Sequence, residues 1–176
     1  MGTAKNLYQP PGPTTSSFQI LDSVKQDLTD DQLEELRNHI SCGLSSFPEL
    51  NGITITVAKQ AKSESRYAKA DNENNITFLP THEMCRPVAI FHELSYLAIR
   101  QLYESGADIP YTNPKFCSIF SIARIPTHFL ANESEIAYLG KPNVPHRKWP
   151  QICRRTLEYR DQKQNYIKQC KEWLKI

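Results

Sequence analysis

No stretch of the 176-residue chain approaches the roughly 20 consecutive apolar residues that a bilayer-crossing helix needs. Met1 to Ser17 lacks the apolar run of a secretory signal and is rich in Pro, Thr and Ser instead. Asn6 stands where a myristoylation signal wants Ser or Thr. The chain has only six glycines, with no glycine-rich phosphate loop and no nucleophile elbow among them. Its five cysteines (Cys42, Cys85, Cys117, Cys153 and Cys170) are odd in number, scattered, and include no Cys-x-x-Cys pair. Neither a zinc ribbon nor a thioredoxin-like centre is therefore indicated, and free thiols in a reducing compartment are expected. No repeat is visible. The expectation is one cytoplasmic globular domain, neither secreted nor membrane-embedded.

What is present fits that class: 39% hydrophobic and 23% charged residues, with a net charge of +2. The charge is unevenly spread. Residues 147–176 carry nine Lys and Arg against three acids, a balance of +6, and the rest of the chain is at −4. A basic tail on an acidic body fits a partner surface or a solvated helix face equally well.

Residues 1–17 read as a flexible arm, 18–146 as the domain and 147–176 as a basic C-terminal helix. Phe18 to Leu28 is left open between strand and loop. Thr29 is a good N-cap, followed by acids in the first turn and by Leu33, Leu36, Ile40 and Leu44 at helical spacing. Ile53 to Val57 alternates like a half-buried strand. Tyr67–Ala70 and Ile76–Leu79 flank an Asp/Asn-rich turn, giving about three antiparallel strands in all. Pro87 opens a helix to about Glu104 whose apolar residues wrap most of its circumference, so it is predicted to be central and buried. A further helix is predicted from Phe116, a short one over Asn132 to Leu139, and a long one from Trp149 to Lys175.

The one segment with chemistry in it is Phe91-His92-Glu93-Leu94-Ser95-Tyr96 on the buried helix. In an H-E-x-x-H helix, two imidazoles four residues apart face one metal, and the Glu takes a proton from metal-bound water. Here the fifth position is Tyr96, whose phenol must lose a proton of pKa ~10 before it can bind zinc. A second His-Glu dipeptide, His82-Glu83, precedes the helix and has no evident partner.

The order of elements resembles that of small single-domain zincins, the SprT-like and related metallohydrolase proteins. The matching pieces are Tyr67-Ala68 with Ile76-Thr77-Phe78-Leu79-Pro80, then Val88 to Tyr96, then Thr112-Asn113-Pro114-Lys115-Phe116, within roughly residues 53–130. The resemblance implies an α+β fold: a single zincin-like domain with a small antiparallel sheet on the central helix, plus the long C-terminal helix. It makes His92 the first zinc ligand and Glu93 the general base, and puts the other two ligands on Tyr96 and Thr112. Neither of these replaces imidazole, so no cofactor is expected and zinc is the alternative. A rebuilt site would draw on Glu133 or Glu135, or on His82, Cys85 and His128; the two glutamates also fit as first-turn acids of a helix. Tyr96 could donate a hydrogen bond to Glu93. Cysteine–histidine catalysis through Cys117 or Cys85 has no support in their spacing.

The expected function is a non-catalytic, metallopeptidase-like binding or regulatory module with a protein or peptide partner. One alternative is a zinc-dependent hydrolase with atypical ligands. Another is nucleic-acid binding through the C-terminal helix, with Arg154, Arg155, Arg160 and Lys163 as contacts. That helix has a seam of Ile152, Tyr159, Tyr166 and Trp173, suited to lying along the domain or to associating with a partner.

Overall fold

The computed structural model describes residues 15–61, 68–111, 113–130, 132–140 and 147–161. It is an α+β fold of one four-stranded sheet and six helices among the described residues. Strand β1 (Ser17–Ile20) leads through α1 (Asp22–Lys25) and α2 (Asp30–Ser46) to β2 (Thr54–Lys59). Then come β3 (Lys69–Asp71), β4 (Ile76–Leu79), α3 (Pro87–Glu104), α4 (Pro114–Arg124), α5 (Glu133–Gly140) and α6 (Trp149–Asp161). None of the described helices is long and apolar enough to cross a membrane.

The sheet corrects the antiparallel expectation. Its order is β1-β2-β4-β3; β1 and β4 both run parallel to β2, and only β3 is antiparallel, to β4. The physical reason is the connections. Parallel neighbours need a long crossover, which α1 and α2 supply between β1 and β2 and the stretch through β3 supplies between β2 and β4. The open segment Phe18 to Leu28 resolves into the end of β1 and α1. The sheet also takes in Ser17, and Ser16 donates from its hydroxyl to the Leu50 carbonyl at 2.6 Å, so the fold begins before the end of the arm.

Local signals explain the helix ends. Thr29 caps α2 in a capping box: its hydroxyl accepts from the Gln32 amide, and the Gln32 side chain accepts from the Thr29 amide. Gly106, at φ +84°, lets the Gly106 and Ala107 amides return to Tyr103 and Leu102 and close α3. Asn113 caps α4 through the Lys115 and Phe116 amides, two residues ahead of the expected start. The long C-terminal helix is described only as far as Asp161; Lys163 lies outside the described residues, as does the side chain of Arg160.

Helix α3 is central, as its all-round apolarity predicts, packing on α2, α4, α5, β3 and β4. Phe91 on α3 is fully buried, as are Phe47, Phe116 and Phe120. Gly43 of α2 faces α3: a Cβ there would lie 2.5 Å from Leu94 Cδ1, so a larger residue would require the Leu94 side chain to shift.

Candidate functional site

His92 and Tyr96 are four residues apart on one face of α3, with ring centroids 5.2 Å apart and ring planes nearly perpendicular. That face meets Cys117 and Ser121 of α4, themselves four residues apart. Ser121 Oγ lies 3.4 Å from His92 Nδ1 and 2.6 Å from Ser95 Oγ, and its hydroxyl also reaches the Cys117 carbonyl at 2.9 Å. Ser95 Oγ donates to the His92 carbonyl at 2.6 Å, and Cys117 Sγ sits 3.1 Å from the same hydroxyl. Each hydroxyl has a single hydrogen. One assignment serves the relay: Nδ1–H donates to Ser121, Ser121 to Ser95, and Ser95 to the His92 carbonyl. That assignment leaves the lone pair of His92 on Nε2.

Burial sets the charges here. It pushes the His92 imidazole down to about 4, so the ring is neutral at pH 7. The Cys117 thiol, 1% exposed, is pushed far above the usual thiol range, which leaves no thiolate for cysteine–histidine catalysis. Tyr96 is likewise raised, by burial first and then by Cys117 and Glu93. The hydrogen bond from the Tyr96 hydroxyl to Glu93 that the sequence suggested is absent among the described residues; the two interact only as neighbouring charges.

Glu93 interacts electrostatically both with Tyr96 and Cys117 and with a second polar cluster around Glu83. It is 2% exposed, its Oε2 has no hydrogen-bond partner among the described residues, and burial, followed by repulsion from Glu83, pushes its carboxyl up to about 8. Glu83 belongs to the His82-Glu83 dipeptide that had no evident partner, and the fold gives it several. Its Oε2 accepts from the Tyr138 hydroxyl at 2.9 Å and the Ala68 amide at 3.3 Å, and Oε1 lies 3.9 Å from Arg86 Nη1. Arg86 stacks over the Tyr138 ring at 4.2 Å and grips Glu135 with two hydrogen bonds of 3.0 Å.

The remaining sequence-predicted residues are dispersed. Glu135 is committed to Arg86, and Glu133 is exposed beside α6. His82 is exposed 3.9 Å from Glu83, Cys85 donates to the Gln32 carbonyl, and His128 packs on Phe129. Thr112 lies outside the described residues, and Arg154 and Arg155 are exposed on α6. Among the described residues no three His, Cys, Asp or Glu gather as a metal site would require. The His92 ring meets the Ser121 hydroxyl at Nδ1 and the Tyr96 ring, while Ser95 and Cys117 reach the His92 carbonyl; hydroxyls, a phenol and a protonated thiol do not fit zinc. Ser95 and Ser121 escaped the sequence reading; the available signal was small polar residues at positions 117, 118 and 121 of an otherwise apolar helix.

No protein-family model matches the chain, and no curated protein or solved structure does either.

Proposed function

We propose that the chain is a zincin-like, metallopeptidase-like scaffold without a complete zinc site, acting as a cytoplasmic binding or regulatory module for a protein or peptide. The observation that carries this reading is the state of the pair that would do the chemistry. Glu93 is sealed from solvent with its carboxyl protonated at neutral pH, so it has no basic oxygen to offer a water molecule. His92 is wired through Nδ1 into a serine relay that stabilises the interior, where a metalloenzyme would bring further imidazoles or carboxylates. The remaining asset of such a scaffold is its sheet edge. β3 is the edge strand that packs against α3, and an extended peptide paired with it would run alongside the His92 helix.

The test is hydrolysis. Unfolded casein and a mixed peptide library are incubated with the purified chain and added zinc, with and without chelator. The expected result is no cleavage above blank in any arm. Cleavage that chelator stops and that Glu93→Gln abolishes would replace the binding-module reading with an enzymatic one.

A further inference from the structure

We draw no further inference here: the strongest candidate, the apolar cleft of about 370 Å³ between α5 and α6 with Trp149 and Cys153 in its lining, carries nothing because nothing in the structure shows what covers it.

Discussion

Glu93→Gln is expected to make the protein more stable than the wild type above pH 8, and about 1 kcal/mol less stable near pH 5, where the wild-type carboxyl is neutral anyway. The sign follows from where the proton sits. A carboxyl at its ordinary 4.5 in the unfolded chain and at about 8 in the folded one binds a proton on folding throughout the interval between them. Stability from this group is fully present below 4.5, and it declines by about 1.4 kcal/mol per pH unit until it is lost above 8. His92 works the other way: 6.5 unfolded and about 4 folded means that the unfolded chain holds the extra proton, so stability rises with pH across that range. The two slopes cancel between 4.5 and 6.5. What remains in the wild type is a fall of about 2 kcal/mol between pH 6.5 and 8. Glutamine removes the whole Glu93 decline, about 4 kcal/mol between pH 5 and 8, and keeps the His92 rise. The variant therefore goes from about 1 kcal/mol behind at pH 5 to about 3 kcal/mol ahead at pH 9. Urea unfolding of both proteins at pH 5, 7 and 9 reads this directly. Parallel stability curves for the two would place Glu93 in water, ionised, and not in the core.

Arg124→Ala is expected to destabilise the protein by about 3–5 kcal/mol, the range for stripping one partner from a buried ion pair. The Arg124 side chain is 1% exposed and Glu49 11%. The guanidinium holds both Glu49 oxygens, at 2.6 and 3.1 Å, and the Ser46 carbonyl at 2.8 Å, and it lies 4.9 Å over the Phe120 ring. Removing it strands a carboxylate and a carbonyl beneath the C-terminal end of α4. It also frees the helix that presents Cys117 and Ser121 to His92. Glu49→Gln is expected to act in the same direction, by leaving the arginine uncompensated. Arg124→Met combined with Glu49→Leu should recover most of the loss, because neither charge is then left buried alone. Urea midpoints decide the matter: a loss below about 1 kcal/mol, typical of an exposed pair, would show that water reaches Arg124.

The helices were legible because their signals are local. The Thr29–Gln32 box, the stripe from Leu33 to Leu44, Pro87 and Gly106 each act within a turn or two of where they stand. Strand direction was not legible. Ser17–Ile20 is four residues long with only Ile20 buried, and its partner β2 lies more than thirty residues on, so the pairing is decided by the helices between them. The site divides in the same way. That His92 and Tyr96 share a face follows from their spacing alone. That Glu83 stands close enough to raise the Glu93 carboxyl depends on Tyr138, from a helix about fifty residues later, which fixes the Glu83 side chain. Ser95 and Ser121 are small enough to read as filler in apolar helices. Their role emerges only where α3 and α4 cross and the His92 ring needs a partner.

The most direct measurement is the metal content of the chain, purified without chelator and supplied with zinc during expression, beside His92→Ala prepared identically. Less than about 0.1 zinc per chain is expected for both, with a melting temperature that chelator does not move. About one zinc per wild-type chain, absent from His92→Ala, would contradict the view that the serine relay has taken over the place of a metal.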